Sequence, residues 1–148
     1  MIEQITPRHG DRIFTDLCLA PIEIESISAK LKSEESGAFV TFRGDVRNHD
    51  LGRIVTKLEY EAHPTAAALL AQIAHEIFSE KKINGIAIHH RYGSLAIGDC
   101  ALFVATTSAH REDAFQACVR AVDLVKERIP IWKHQFFADG TDEWVNSA

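Results

Sequence analysis

Apolar and polar positions near the start of the chain follow the patterns of strands and one short helix. The β-branched and aromatic content of residues 12–20 and 38–42 predicts a first strand and then a buried strand that runs into Gly44. Between these strands, residues 21–31 predict a short helix opened by Pro21, because proline suits the first turn of a helix.

A polar loop over residues 45–53 follows, and Gly52 suits a tight turn within it. In residues 54–61, the positions alternate between two sets: Ile54, Thr56, Leu58 and Tyr60 on one side, and Val55, Lys57, Glu59 and Glu61 on the other. This period of two predicts a strand with one face in water. Together with the strand that ends at Gly44, it predicts a hairpin.

Two longer helices show clear apolar stripes. Pro64 opens the first, whose apolar residues recur at helical spacing, and residues 111–128 form the second, which ends before Pro130. The predicted inner faces are Ala66, Leu69, Leu70, Ile73, Ala74 and Ile77 in the first helix and Ala114, Cys118, Ala121, Val122 and Val125 in the second.

Further strands are predicted around these helices. Residues 85–92 and 99–107 form two strands joined by the turn-rich connection 93–98, and residues 131–137 form a closing strand, after which Trp144 is a last apolar anchor. Because most connections are hairpin-like, we expect an α+β fold with a mainly antiparallel sheet and two main helices, in a single domain over 1–148. A doubly wound parallel sheet is the weaker alternative.

Composition restricts the class of protein. The chain has 16 basic and 21 acidic residues, a net charge of −5 and 46% hydrophobic residues, which argues against a surface dedicated to nucleic acid. No apolar run is long enough for a membrane span and the first residues lack a signal-peptide core, so we expect a cytoplasmic protein.

The cysteine and histidine patterns do not favour a metal site. Cys18, Cys100 and Cys118 are widely spaced and predict free thiols. His89 and His90 are neighbours on a predicted strand and therefore point to opposite faces. A metal-dependent hydrolase that uses these two residues with His110 is kept as an alternative.

Cationic residues at the ends of elements are the strongest functional signal, since loops there present side chains to ligands. These residues are Arg47 with His49, His110 with Arg111, and Lys126 with Lys133. Arginine at a helix start opposes the helix dipole, so Arg111 predicts an anion site, unless it merely pairs with Glu112 or Asp113. Two lysines held close would lower each other's pKa and allow acid, base or nucleophilic chemistry.

One distance predicts a homodimer. Arg111 and Lys126 are fifteen residues apart on one helix, or roughly 22 Å at about 1.5 Å per residue, which is too far for both to hold one small ligand. If both serve one site, then each site takes His110 and Arg111 from one protomer and Arg47, Lys126 and Lys133 from the other.

Five segments of the sequence, in this order and spacing, resemble the molybdopterin synthase catalytic (large) subunits, the MoaE family. These are Gly37-Ala-Phe-Val-Thr-Phe-Arg-Gly-Asp-Val-Arg47, Leu58-Glu-Tyr-Glu-Ala62, Ile88-His-His-Arg-Tyr-Gly93, Ser108-Ala-His-Arg111 and Pro130-Ile-Trp-Lys133. The resemblance covers about residues 37–145.

The resemblance implies an α/β-hammerhead type of fold and a sulfurtransferase. Such an enzyme moves sulfur from the C-terminal thiocarboxylate of a small ubiquitin-like subunit to cyclic pyranopterin monophosphate (precursor Z), forming the dithiolene of molybdopterin in molybdenum cofactor biosynthesis. It also implies a heterotetramer around a homodimer of this chain, with neither nucleic acid nor membrane as a partner. No cofactor and no metal are expected.

By position, the resemblance implies a set of substrate-binding residues, with Lys126 and Lys133 as the catalytic ones. The substrate-binding set is Asp45, Val46, Arg47, His110, Arg111, Lys126, Lys133, His134 and Gln135. Many relatives carry Lys-Glu where this chain has His134 and Gln135, and some extend beyond the segment that ends here with Asn146-Ser-Ala148. The alternative from another class is a non-catalytic dimeric anion-binding or regulatory module of the same fold.

Overall fold

A computed structural model describes residues 12–145, which form nine strands and three helices. In chain order these are β1 Ile13–Cys18, α1 Ile24–Leu31, β2 Ala38–Asp45, β3 His49–Asp50, β4 Arg53–Ala62, α2 Ala66–Glu80, β5 Gly85–Arg91, β6 Gly93–Ala96, β7 Cys100–Ser108, α3 Arg111–Arg128, β8 Ile131–Phe137 and β9 Asp142–Val145. Residues 146–148, whose segment was compared with longer relatives in the sequence analysis, lie outside this range.

The strands form two sheets. The first has the order β1-β5-β7-β2, in which β1 runs parallel to β5 and the other pairs are antiparallel. The second has the order β3-β4-β8-β9, with β6 also paired to β4, and all its pairs are antiparallel. The predicted α+β fold with mainly antiparallel pairing is therefore confirmed.

The helices cover both faces of the first sheet. On one face α2 packs against β1 and β5, and α3 packs against β7 and β2, whereas α1 packs against β5 and β7 on the other face. The predicted stripe of α2 is confirmed, since Leu70, Ile73 and Ile77 are buried and Leu69 packs against the same core. Apolar residues of the second sheet, such as Leu58 and Ile131, belong to this core as well. No helix in residues 12–145 is long and apolar enough to cross a bilayer.

The prediction that β2 is buried was wrong. β2 is an edge strand of the first sheet, and its residues alternate between half-buried and exposed. Phe39, for example, is 41% exposed. Aromatic and β-branched content predicts a strand but does not distinguish a central strand from an edge strand.

The predicted hairpin of β2 with β4 was also wrong, because these strands belong to different sheets. The tight hairpin joins β3 to β4 instead, through Leu51 and Gly52 at φ values of 50° and 79°. A bulge between Val55 and Lys57 also breaks the predicted alternation. Val55 is therefore buried together with Leu58, whereas Ile54 is 63% exposed.

Smaller differences concern element ends. The first helix begins at Ile24, three residues after Pro21, and β6 occupies much of the connection that was predicted as turns. A short strand such as β6 depends on its partner β4 for stability, and its sequence has little pattern of its own.

Trp144 is 51% exposed and stacks on the His134 ring, with centroids 4.1 Å apart, so it covers a sheet face and does not reach the core.

Candidate active site

A cavity of about 250 Å³ lies between the two sheets, next to the last turn of α3. Both sheets, the segment after β2 and the helix contribute to its wall. The lining residues are Phe42, Gly44, Asp45, Arg47, Tyr60, His90, Ala101, Leu102, Lys126 and Lys133.

The strand registers explain why these side chains converge. Tyr60 of β4 is directly opposite Lys133 of β8, so both side chains lie on the same face of the second sheet. In the first sheet a bulge between Gly44 and Asp45 ends the regular pairing of β2 with β7. Bulges change the direction of a strand, and this one lies where the chain leaves β2 for Arg47.

Three cations among residues 12–145 line the cavity, and an acidic neighbour contacts Arg47. Arg47 lies 3.5 Å from a carboxylate oxygen of Asp50, and the other oxygen of that carboxylate accepts a hydrogen bond of 3.0 Å from Gln135. The carboxylate of Asp45 is paired with Arg43 at 2.8 Å. Because Asp50 is already bonded to Gln135, its contact with Arg47 helps to hold the guanidinium near the opening.

Lys133 is half-buried, and its burial lowers the pKa of its ammonium group. The charge of Asp50 opposes this shift, while Lys126 and Arg47 add to it. The expected pKa decrease from neighbouring lysines is therefore present at Lys133, although burial is the larger cause. A lowered pKa increases the fraction of neutral amine, the form that can accept a proton or attack an electrophile.

The cavity wall also contains two buried polar residues, Tyr60 and His90, which are 8% and 1% exposed. Their rings meet edge to face, with centroids 5.2 Å apart. Burial raises the pKa of Tyr60 to about 12 and lowers the pKa of His90 to about 4, and the charge of Lys126 contributes to the second shift. Both side chains are therefore neutral at pH 7.

The structure brings together four of the predicted substrate residues, namely Asp45, Arg47, Lys126 and Lys133. Sequence reasoning missed Phe42, Tyr60 and His90 as lining residues. The intact part of the β4 alternation, Leu58 and Tyr60, could have placed Tyr60 on the inner face. His90 was considered only as a metal ligand.

Five other predicted residues do not line this cavity, and three of them lie in the core or the second sheet. Val46 is buried in the main core. His134 is bonded to Asp142 at 2.6 Å and lies between the rings of Phe136 and Trp144. Gln135 is buried and reaches Arg47 only through Asp50.

His110 and Arg111 lie at the start of α3, whereas Lys126 lies in its last turn. Arg111, Phe115, Val119, Val122 and Lys126 fall within an arc of about 80° on this helix, at about 100° per residue. Phe115 and Val119 are 55% and 61% exposed. One face of α3 thus has an exposed apolar middle and a cation at each end, and we call it the α3 stripe.

The α3 stripe is continuous with the cavity. Phe42 lines the cavity and also a neighbouring groove of about 200 Å³ that is formed with Cys118, Val119 and Val122. A molecule seated on the stripe would therefore cover one side of the cavity.

The histidines of the alternative metal site are separated. His90 faces the cavity, whereas His89 lies on the other face of β5 with Asp16 and Cys18, their ligand atoms all within 4.8 Å of one another. This is the one potential metal-binding group found in residues 12–145. The charge of Lys30 acts on His89 and that of Arg91 on Cys18, and both oppose a bound cation.

Comparisons with known proteins identify the family. Residues 17–128 match the family model described as MoaE protein. The chain is 39% identical to the molybdopterin synthase catalytic subunits of Nostoc sp. and Bacillus subtilis, over 88% of this chain and 80% and 83% of those proteins. It superposes on the crystal structure of molybdopterin synthase from Staphylococcus aureus with a TM-score of 0.80 and 38% identity, covering 89% of this chain and 96% of that one. The chain therefore belongs to the MoaE protein family, which confirms the resemblance found in its sequence.

Proposed function

We propose that the chain acts as the catalytic subunit of a molybdopterin synthase and that sulfur transfer takes place in the cavity between its two sheets. The sulfur donor is the C-terminal thiocarboxylate of a small ubiquitin-like subunit, and the acceptor is precursor Z. The product is the dithiolene of molybdopterin. The main structural support is the grouping of Arg47, Lys126 and Lys133 around one cavity.

The charges around the cavity suit these two reactants. Precursor Z carries a cyclic phosphate and the donor carries a thiocarboxylate, so both are anions. Guanidinium and ammonium groups bind such anions through charge-assisted hydrogen bonds. Lys126 stabilises and orients the thiocarboxylate, and Lys133, with its lowered pKa, contacts the phosphate or exchanges a proton during the reaction.

The α3 stripe supports a homodimer in which two chains complete each site. Exposed apolar side chains along one helix face are typical of a surface that a partner covers. If two copies of α3 pack antiparallel about a two-fold axis near Val119, then Arg111 of one copy lies beside Lys126 of the other. This arrangement removes the separation of roughly 22 Å that one helix imposes.

The same arrangement assigns His110 and Arg111 to the site of the neighbouring chain. Their placement at a helix N-terminus favours an anion, since backbone N–H groups point outward there. The small subunit then inserts its terminal residues into a cavity that is cationic on both sides. This assembly is the heterotetramer that the resemblance implies.

We also propose that the enzyme is cytoplasmic and that residues 1–148 form a single molybdopterin synthase large-subunit domain. The three cysteines are free thiols, as in a reducing compartment. Both sheets contribute to the main core of residues 12–145, so neither sheet is an independent unit.

The non-catalytic alternative has less support. The sequence feature that favours it is the pair His134 and Gln135, which many relatives replace by Lys-Glu, but neither residue lines the cavity. The residues that do line the cavity include both lysines.

Reconstitution decides between the two functions: the purified chain is mixed with the thiocarboxylated small subunit and precursor Z, and dithiolene formation is measured. Binding of both reactants without product would support the anion-binding module.

Substitution of Lys126 tests its role in the site. Lys126→Ala should lower the rate of dithiolene formation by about a hundredfold or more, because a charge that stabilises the reacting anion is lost. Affinity for the small subunit, measured by calorimetry, should change little.

Lys82→Ala is the matched control, since Lys82 is an exposed lysine beyond the end of α2. This variant should retain the full rate. Near-normal product formation by Lys126→Ala would remove Lys126 from the mechanism.

A further inference from the structure

His90 is a buried polar residue that contacts both halves of the molecule. It lies on β5 of the first sheet, and its ring packs edge to face against Tyr60 of the second sheet. It is 1% exposed and nevertheless lines the cavity. Its ring is therefore held in place by packing, and little of it meets solvent.

A hydrogen bond determines which ring nitrogen carries the proton. Nδ1 lies 2.7 Å from the backbone carbonyl oxygen of Arg91. A carbonyl oxygen only accepts hydrogen bonds, so Nδ1 donates and carries the hydrogen. In the neutral ring, Nε2 is then the hydrogen-bond acceptor.

The surroundings keep this ring neutral. Burial lowers the pKa of His90 to about 4, and the positive charge of Lys126 favours the neutral form as well. At neutral pH, Nε2 therefore accepts a hydrogen bond and does not donate one.

The cavity thus has two chemically different regions. One is the outer region, formed by the exposed cations Arg47 and Lys126, and the other is formed by the buried, uncharged polar residues Tyr60 and His90. A simple anion, which has no hydrogen-bond donor, can interact favourably with the outer region only. A ligand that matches both has an anionic group and, some distance away, a hydrogen-bond donor on an uncharged ring.

We propose that His90 is a specificity-determining residue, whose Nε2 accepts a hydrogen bond from a ring N–H of the pterin while the outer cations hold the phosphate. This rests on the proposed function, because it assigns precursor Z to the cavity. A site built to hydrogen-bond a substrate N–H discriminates strongly against an analogue that lacks it, since the buried acceptor is then left unpaired.

Two substitutions at position 90 separate the acceptor from the packing. His90→Asn keeps a donor near the Arg91 carbonyl but has no atom at the place of Nε2, whereas His90→Gln carries an amide oxygen at about that depth. We expect His90→Asn to bind precursor Z about tenfold more weakly by calorimetry and His90→Gln to recover most of the affinity. Inorganic phosphate, which needs only the outer cations, should bind equally to all three proteins.

A ligand-side measurement covers the case in which His90→Asn folds poorly. A pterin analogue methylated at the ring N–H should bind the unmodified protein about tenfold more weakly than its parent. For this analogue, His90→Asn should cause no further loss.

The outcomes separate the two proposals. Equal affinity of the His90→Asn variant and the unmodified protein for precursor Z would overturn the role of His90, as would parent and methylated pterins that bind equally well. Absence of dithiolene product with the unmodified protein would overturn the proposed function. In that case, a selective loss of pterin binding in His90→Asn would still support an acceptor at this position.

Discussion

Single residues in the cavity differ in how their charge responds to the surroundings. Lys133 is half-buried, which lowers its pKa, but the negative charge of the nearby Asp50 limits how far the Lys133 pKa falls. His90 has no acidic group among the causes of its shift, and its pKa therefore falls to about 4. The cavity therefore combines a lysine whose pKa is lowered with an imidazole that is neutral at pH 7.

The shift at His90 predicts a pH-dependent stability. Its pKa falls from 6.5 to about 4 on folding, so between these values the unfolded chain binds a proton that the folded chain does not. The free energy of unfolding should therefore decrease as the pH falls from about 6.5 to about 4, by up to about 3 kcal/mol from this residue. Urea denaturation at several pH values measures the effect.

His90→Gln is the comparison protein, because glutamine does not titrate. It should lose less stability than the unmodified protein over the same pH interval. His89, whose pKa is also lowered by burial, remains in both proteins and cancels in the comparison. Parallel stability curves would show that His90 titrates normally.

At the scale of elements, the β3–β4 hairpin has an unfavourable backbone position. Leu51 has a φ of 50° and is 92% exposed, so its side chain packs against little in this chain. Leucine rarely adopts positive φ, and two-residue turns with positive φ at both positions favour Asn-Gly.

Leu51→Asn should therefore raise the free energy of unfolding by about 0.5–1 kcal/mol, which urea denaturation can measure. Gly52→Ala is the opposite control, since the φ of 79° at Gly52 suits glycine. It should be destabilising by about 1 kcal/mol. A destabilised Leu51→Asn would mean that the leucine side chain makes a contact that outweighs the backbone strain.

The long helices were predictable because their signals are local. Pro64 and Pro130 flank two runs of helical periodicity, and the second helix has the predicted bounds, Arg111–Arg128. The pairing of the strands was less accessible, since the sequence around Gly44 and Asp45 does not show that β2 and β4 belong to different sheets. Strand partners depend on contacts between residues far apart in the chain, which periodicity does not encode.

The candidate site was predictable where charged residues form it. Arg47, Lys126 and Lys133 stand out as cations at the ends of elements, and the structure places them around one cavity. Tyr60 and His90 were less evident, because an uncharged polar residue within an apolar strand also fits ordinary packing. Only the meeting of two sheets shows that these side chains face a cavity.

At the scale of the whole molecule, the α3 stripe should hold two chains together. Val119→Asp places two carboxylates near the proposed two-fold axis, where they repel each other and lose solvent. We expect this variant to be monomeric by sedimentation at concentrations at which the unmodified protein is dimeric, and to have lost most of its activity.

The control is Ser26→Asp, which adds the same charge at an exposed position of α1. It should remain dimeric and active. A dimeric, fully active Val119→Asp protein would show that the chains associate through another surface.

Mixed dimers test whether two chains share each site. Arg111→Ala and Lys126→Ala should each be inactive alone, yet a dimer of one chain of each kind has one site with both cations intact. Random mixing, in which half of the dimers are of this type, should restore about a quarter of the unmodified activity. The assay is dithiolene formation after the chains are unfolded together and refolded, and no recovery would contradict a shared site.

Phe42 forms part of both the cavity wall and the groove beside α3. If a second chain covers that groove, then dissociation would let water reach the reacting groups from the side. Specific activity should then fall on dilution, and the onset of this loss would report the dissociation constant of the dimer. Such an enzyme would expose its sulfur intermediates to solvent only after the dimer had dissociated.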